Sequence, residues 1–314
     1  SVLQAWIDAI EPLEFEAKRP TLEAVLANTA LASATRVASF QRLREDGASD
    51  LGQLVATALK DSDTSLRAAA LEQLPGLAPE QALPLFGDVL ENGDIIECRA
   101  VYKALSSMTT FEAQTLLTDE FTKLRNSSLR RELQLDLIEA LYQMESNATR
   151  QQVDRLRSNR REREPVAAKW LDSMWGGDKV EGKKIFEQDV ALSCMRCHLS
   201  GDGAAQGVGP DLAGVGERLS RRQILDSIIT PNSETAEGFE SVLFVLEDDE
   251  LVAGRVLEQT DKLVRVIQSS GEIREFDPAS IVERRQDLSA MPSGMDLLLK
   301  PRTMRDLIEY VASL

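Results

Sequence analysis

Four arginines recur along the N-terminal half of this 314-residue chain at a spacing of 31 or 32 residues. These are Arg36, Arg67, Arg99 and Arg130. Each lies in a stretch that begins with a polar, cap-like residue and continues with apolar residues at helical spacing. Second helical patterns lie between these stretches, for example at residues 51–60 and 82–91. A fixed period of two helices per unit predicts an α-solenoid, in which neighbouring units bury a shared core.

The repeated units resemble HEAT repeats, although they are short for that family. The resemblance covers about half of the chain, and a non-repetitive helical bundle is the alternative that the pattern leaves open. The pattern ends near Trp175, where Gly176 and Gly177 are adjacent and predict a domain boundary. We therefore divide the chain into a helical-repeat domain at residues 1–176 and a second domain at residues 177–314.

The second domain begins and ends with amphipathic helical patterns. Asp178 can cap the first of these helices, and residues 302–314 form the last. Between residues 240 and 286 the pattern changes to short β-rich runs separated by turns. Such closely spaced strands predict a meander or a small five-stranded barrel. The predicted fold class is therefore mainly α, with a small all-β insertion at about 240–286 in a helical C-terminal domain.

His198 is the only histidine of the chain, and it closes the pattern C-x-x-C-H that starts with Cys194 and Cys197. This pattern attaches c-type haem, because two thiols at this spacing can add to the two vinyl groups of one porphyrin while the imidazole binds iron. C-x-x-C also occurs in redox dithiols and in halves of zinc sites. A zinc site needs four ligands, and the only other cysteine is Cys98. A redox dithiol would follow a strand, whereas residues 179–188 are predicted to be helical.

A wider set of residues surrounds the C-x-x-C-H pattern. It consists of Gly182, Ile185, Phe186, Gly209, Pro210, Asp211, Leu212, Arg218, Ile224, Leu225, Ile228, Ile229, Pro231, Met291, Pro292, Gly294, Asp306, Leu307, Ile308 and Tyr310. With this set, residues 177–314 resemble the class I cytochrome c fold, and specifically a bacterial haem-binding domain family. Its members often lie at the C-terminus of larger proteins, behind propeller domains like those of PQQ-dependent sugar dehydrogenases, with HEAT-like repeats between them. The resemblance implies one covalent haem c.

The resemblance also implies roles for residues near the motif. The loop that contains Pro210 resembles the one that, in class I cytochromes, accepts a hydrogen bond from the second ring nitrogen of the iron-binding His198. The carbonyl of Pro210 is the candidate acceptor, since proline has no competing N–H. Leu212 would pack on the haem ring, although the whole stretch could also be an ordinary glycine-rich loop. Arg218 is expected either to bind a haem propionate or to be a solvated arginine at a helix start.

The sixth iron ligand cannot be a second histidine, and a methionine sulfur is the usual alternative. Met291, Met295 and Met304 are the candidates within reach of the opposite haem face. Met304 fits the apolar stripe of the last helix, so we expect it in the core. Met291 matches the Met-Pro of the family and is the predicted ligand, with Met295 next.

The net charge of −16 argues against a nucleic-acid partner, because a phosphate backbone would be repelled. No apolar run approaches the roughly 18 residues that cross a bilayer. The chain starts without methionine and without a visible secretory signal. We therefore expect a processed protein or an excised fragment. Covalent haem attachment implies a periplasmic or otherwise exported location.

These observations predict an electron-transfer module and no enzymatic activity of its own. It would accept electrons from a redox partner protein or a fused dehydrogenase domain and pass them on. One alternative is a haem enzyme or gas sensor with an open distal site. The other is an interaction scaffold in which the repeats act and the haem is structural. We further expect residues 177–314 to hold the haem by themselves, with the repeats as spacer or docking platform.

Overall fold

A computed structural model describes residues 14–144, 147–198 and 207–314. The described residues form fourteen α-helices and one small five-stranded antiparallel sheet, so the prediction of a mainly helical chain with a small β region is confirmed. The chain divides into two compact units between Asp154 and Arg155. In the described ranges, no helix is both long and apolar enough to cross a membrane.

The helices of the first unit follow one another with short connections. They are Phe15–Ala27, Ser33–Glu45, Leu51–Ala58, Thr64–Leu71, Leu74–Leu77, Pro79–Asn92, Ile95–Ser106, Phe111–Arg125 and Gln134–Gln143. A further helix, Asn147–Arg163, begins in the first unit and continues into the second. Three of the starts have side-chain caps, at Asp63, Asp94 and Thr110. These caps satisfy backbone N–H groups that have no partner inside the helix, which fixes where each helix begins.

Helices of the four repeats are neighbours in space; the first three carry a periodic arginine, and Arg130 lies shortly before the fourth. Ser33–Glu45 packs against Thr64–Leu71, which packs against Ile95–Ser106, which packs against Gln134–Gln143. Each of these helices buries apolar side chains, such as those of Phe40, Leu71, Val101 and Leu137. The period in the sequence therefore corresponds to a row of helices in the first unit.

Two of the four periodic arginines each bind a carboxylate further along the chain through two guanidinium nitrogens. In Arg36, Nη1 and Nη2 donate to the two oxygens of Asp61 over 2.9 and 2.6 Å. In Arg67, Nε and Nη2 donate to Glu97 over 2.7 and 3.1 Å. The guanidinium of Arg36 also lowers the pKa of the Asp61 carboxyl, chiefly through these hydrogen bonds. These ion pairs, each with two hydrogen bonds, join successive repeats.

The other two periodic arginines depart from this arrangement in different ways. Arg99 forms an ion pair with Asp136 at 3.0 Å, again in the following repeat. Arg130 points back, with Nη1 donating to the carbonyl of Gly93 over 2.9 Å and Nη2 lying 2.7 Å from Sγ of Cys98. Cys98 is fully buried, as a small apolar residue would be. Arg36, Arg67 and Arg99 thus contact residues further along the chain, whereas Arg130 contacts the preceding repeat.

The second unit contains the helices Lys179–Gln188, Val215–Arg218, Arg221–Ile229 and Pro301–Val311. The first and last of them cross where Gly182 meets the backbone of Asp306. A Cβ atom on Gly182 would lie 1.9 Å from the carbonyl oxygen of Asp306, so only glycine permits this approach. The two amphipathic helices that bracket the predicted domain therefore close on each other.

The sheet lies between these helices in the sequence. Its strands are β1 Ser241–Leu246, β2 Leu251–Gln259, β3 Val264–Ile267, β4 Ile273–Phe276 and β5 Ile281–Gln286. Their order is β4-β3-β2-β1-β5, so the first four form an antiparallel meander and β5 returns to pair with β1. Phe244, Val252 and Val264 are buried in a small core of their own. The strands span residues 241–286, as the sequence predicted.

The segment before Gly177 packs inside the second unit. Trp170 is fully buried there, in the same apolar cluster as Phe186 and Ile308. Arg221 donates to both oxygens of Glu309 and to the carbonyl of Met174, over 2.8 to 3.1 Å. The compact division at residues 154/155 therefore lies upstream of the predicted boundary at 176/177, because residues 155–176 contribute to the second core.

Candidate functional site

A cavity of about 930 Å³ lies in the second unit. Its wall includes every residue that the sequence analysis assigned to the site. These are Cys194, Cys197, His198, Pro210, Leu212, Arg218 and Met291. The fold thus brings the motif, the loop after it and a methionine from beyond the sheet to one cavity.

The two motif cysteines are placed by a tight turn that follows the helix Lys179–Gln188. Asp189 ends this helix, and its carboxylate accepts the backbone N–H groups of Ala191 and Leu192 over 2.9 and 3.0 Å. Residues Cys194–Arg196 form one turn of 3₁₀-helix. The carbonyl of Cys194 accepts the N–H groups of Cys197 and His198 over 3.2 and 3.0 Å. This turn carries both sulfurs and the imidazole to the cavity wall.

Cys194 and Cys197 are half-buried, and neither forms a disulfide with a described cysteine. Burial raises the pKa of Cys194 and of Cys197, because a thiolate loses solvation there. They are therefore protonated at neutral pH.

His198 has a defined tautomer. Its Nδ1 lies 3.0 Å from the carbonyl oxygen of Pro210, which can only accept a hydrogen bond, so Nδ1 carries the proton. Burial lowers the pKa of His198, with the Pro210 carbonyl opposing, so the ring is neutral at neutral pH. The lone pair is then on Nε2, which is the form of imidazole that binds metals.

Gly209 allows the loop to lie against the imidazole. A Cβ atom at this position would be 3.1 Å from both Cε1 and Nδ1 of His198, closer than ordinary contact. The N–H of Gly209 donates to the carbonyl of Cys197 over 3.1 Å. The loop is thus joined to the motif at two points, Gly209 and Pro210.

Leu212 and Arg218 continue this wall. Leu212 packs against the apolar cluster of the second unit. The guanidinium of Arg218 donates to the carbonyls of Ala213 and Asp211, over 2.5 and 3.3 Å. These contacts hold the loop after Pro210 in place, and they use part of a guanidinium that has five N–H donors.

Two methionines line the cavity. Met291 follows the sheet, and its N–H donates to Oγ of Ser289 over 3.2 Å. Met295 begins a 3₁₀ turn after Gly294, which has a left-handed φ of 85°. Met304 is fully buried in the core, as the sequence predicted. Met291 and Met295 are therefore both part of the cavity wall.

The sequence analysis did not identify the charged part of the wall. Five carboxylates line the cavity, whereas Arg218 is the only lysine or arginine among its described lining residues. The five are Asp211, Asp226, Glu234, Glu237 and Glu240. Three of them come from the stretch between the helix Arg221–Ile229 and β1, which resembles an ordinary polar connection. Its high density of acidic residues is the one feature that could have indicated the wall.

Two comparisons with known proteins gave no match. No protein-family model matches the chain, and no curated protein matches it. The function is therefore argued from the cavity and its residues.

Proposed function

We propose that the chain is an electron-transfer module with one covalent haem c in its second unit. The observation that carries this proposal is the common cavity that is lined by the C-x-x-C-H turn, by the imidazole hydrogen-bonded to Pro210, and by Met291 and Met295. We further propose that the second unit is a class I cytochrome c domain. The helical row before it would be a HEAT-like α-solenoid.

The residues of the cavity fit a haem. Its volume of about 930 Å³ is near the upper end of the roughly 300–1,000 Å³ found for cofactor pockets. Apolar side chains such as those of Leu212, Ile224 and Leu307 form part of its lining. The lining thus combines an apolar part for the porphyrin ring with a cation, Arg218, for a propionate.

Each residue has a task in this proposal. The thiols of Cys194 and Cys197 would each form a thioether with one vinyl group. Nε2 of His198 would bind the iron, while Nδ1–H to Pro210 holds the ring orientation and increases the basicity of the ligand. Met291 would supply the sixth ligand and Arg218 a contact for a propionate. The bound haem would supply reversible transfer of one electron.

We propose no catalytic residue and no enzymatic activity for this chain. Its only histidine is assigned to iron, which leaves no histidine for distal acid–base chemistry. The electron donor would be a redox partner protein or a fused dehydrogenase domain. Because c-type haem is attached outside the cytoplasmic membrane in the cytochromes that this domain resembles, we propose a periplasmic or otherwise exported location.

Intact mass after acid–organic extraction tests the covalent bond. The chain is produced in cells with a c-type haem ligation system, and the wild type should retain one haem. Cys194→Ala and Cys197→Ala should each lose a thioether, whereas Cys98→Ala, which removes the thiol outside the motif, should retain both. Complete loss of haem from the wild type under these conditions would refute the proposal.

Optical spectra and voltammetry separate electron transfer from its alternatives. A low-spin, six-coordinate oxidised protein with reversible reduction supports the proposal. A high-spin, five-coordinate spectrum would favour a haem enzyme or gas sensor instead, and failure of reversible reduction would favour a scaffold with structural haem.

The choice of sulfur ligand needs its own experiment, because Met291 and Met295 share the cavity. Met291→Ala should abolish the weak far-red sulfur-to-iron band of the oxidised protein and lower its potential, since a thioether favours reduced iron. Met295→Ala should leave the band in place. The reverse result would transfer the ligand assignment to Met295.

A further inference from the structure

An arginine of the inserted sheet holds two segments of the cavity wall. Nη1 of Arg255, in β2, donates to the carbonyl of Gly207 over 2.8 Å. Its Nε donates to the carbonyl of Gly238, also over 2.8 Å. Its guanidinium carbon lies 3.8 Å from the ring centroid of Phe239. One side chain thus contacts the loop that leads to Pro210 and the segment that leads into β1.

Both segments are part of the candidate haem site. Gly207 is followed directly by Val208, Gly209 and Pro210, which line the cavity. Pro210 accepts the hydrogen bond from His198. Phe239 lines the same cavity. Only two residues, Val208 and Gly209, therefore lie between the carbonyl that Arg255 holds and the carbonyl that orients the imidazole.

The sheet fixes the position from which the Arg255 side chain makes these contacts. β2 is an inner strand, in which Arg255 lies opposite Ser241 of β1 and Ile267 of β3. Its backbone is therefore held on both sides. Burial lowers the pKa of the guanidinium while the charge of Glu240 opposes this effect, and an arginine remains a cation throughout the ordinary pH range. Hydrogen bonds from a cation to carbonyls are stronger than neutral ones.

We propose that Arg255 is a positioning residue of the haem site, which holds the Gly207–Pro210 loop and Phe239 in the geometry that orients His198. This inference rests on the proposed function. It gives the inserted sheet a part in setting the properties of the iron centre. A planar guanidinium can serve two carbonyls and stack on a ring at once, which an ammonium group cannot do.

The test compares Arg255→Lys with Arg284→Lys in the full chain. Both substitutions keep the positive charge. Arg284 lies in β5 of the same sheet, with its guanidinium carbon 5.6 Å from the Phe244 ring centroid. The measurements are the midpoint potential, the electron paramagnetic resonance of the oxidised protein and the hydrogen-exchange rate of the Gly209 amide, which donates to Cys197.

In Arg255→Lys we expect roughly tenfold or faster exchange at Gly209, because two charge-assisted hydrogen bonds are weakened. We also expect shifted or multiple low-spin signals and a higher potential, since a looser bond from Nδ1 makes the imidazole a poorer donor to oxidised iron. Arg284→Lys should match the wild type in all three. A folded Arg255→Lys protein that matches the wild type would overturn the proposal.

Phe239→Leu provides a second route if Arg255→Lys fails to fold. It removes the ring under the guanidinium and should change the same three measurements in the same direction, although less strongly. Unchanged values in folded Phe239→Leu would then overturn the proposal. A wild-type protein without covalent haem would refute the proposed function instead, and Arg255 would be judged on the exchange of the Gly209 amide alone.

Discussion

In the first unit, Arg36 binds both carboxylate oxygens of Asp61, whereas in the second unit Arg218 and Arg255 donate to backbone carbonyls. The two arrangements have different effects. A carboxylate partner joins one helical repeat to the next. A backbone carbonyl can belong to any residue, so an arginine that binds one can fix a loop of almost any sequence.

The arrangements also differ in what their loss leaves behind. Without Arg36, the carboxylate of Asp61 loses its cation in a site that is only 18% exposed. Without Arg218, two carbonyls in an exposed part of the loop can bind water instead. An uncompensated buried charge is far more costly than a carbonyl exposed to water. Arg36 should therefore matter chiefly for the stability of the first unit, and Arg218 and Arg255 for the shape of the cavity in the second.

The largest expected effect concerns the border between the two regions. Trp170→Ala should lower the free energy of unfolding of the second unit by about 3–5 kcal/mol, because it removes a fully buried indole. A fragment of residues 155–314 should likewise be more stable to denaturant than one of residues 177–314. Equal stabilities of the two fragments would restore the boundary at Gly177 and show that residues 155–176 add nothing to this core.

The next effect compares the two kinds of arginine directly. Arg36→Met should cost about 3 kcal/mol, the low end for breaking a buried pair, because Asp61 keeps some exposure. Arg218→Met should cost only about 1 kcal/mol, the net value of ordinary hydrogen bonds. Urea unfolding, with a separate probe for each unit, measures both. Similar losses of unfolding free energy in Arg36→Met and Arg218→Met would contradict the expected difference between the two arginines.

The pH dependence of stability provides a further test of the Arg36–Asp61 pair. The pKa of Asp61 is lowered in the folded chain, so its contribution to stability is fully present above the unfolded pKa of about 3.9 and is lost as pH falls through the folded value. The stability difference between the wild type and Arg36→Met should therefore be largest near neutral pH and shrink below about pH 4. The exposed pair of Arg44 and Glu45 provides a control. Arg44→Met should cost less than about 1 kcal/mol at every pH.

The smallest effect concerns the acidic cavity wall. Glu237→Gln removes one of five lining carboxylates, and negative charge near the iron favours its oxidised state. The midpoint potential of the proposed haem centre should therefore rise, on the order of tens of millivolts. Glu283→Gln, an exposed carboxylate of β5 that does not line the cavity, should leave it nearly unchanged. If both variants shift the midpoint potential equally, the potential depends on the net charge of the protein and not on the carboxylates of the cavity wall.

Much of the architecture was predictable because it repeats or alternates. The arginine period predicted the helical row, and short β-rich runs between turns predicted the strands of residues 241–286. The compact division differs from the predicted boundary because residues 167–173 form two short 3₁₀ turns around Trp170, and such turns have no periodic sequence pattern. Gly176 and Gly177 gave a strong local indication of a border, but a local indication carries no information on which core a neighbouring side chain joins.

The proposed role of Cys194, Cys197 and His198 could be read from the sequence alone, since the spacing of reactive groups along a short turn is a local property. The sequence also limits the candidates for the proposed sulfur ligand to a few methionines. Three features became visible only in the folded chain: the hydrogen bond between the Pro210 carbonyl and His198, the cavity that Met291 and Met295 share, and the contact of Arg255 with Gly207. These contacts join segments that are distant in the chain, and their acceptors are often backbone atoms that every residue possesses. No pattern of side chains records them, because their geometry exists only once the helices and the sheet have packed.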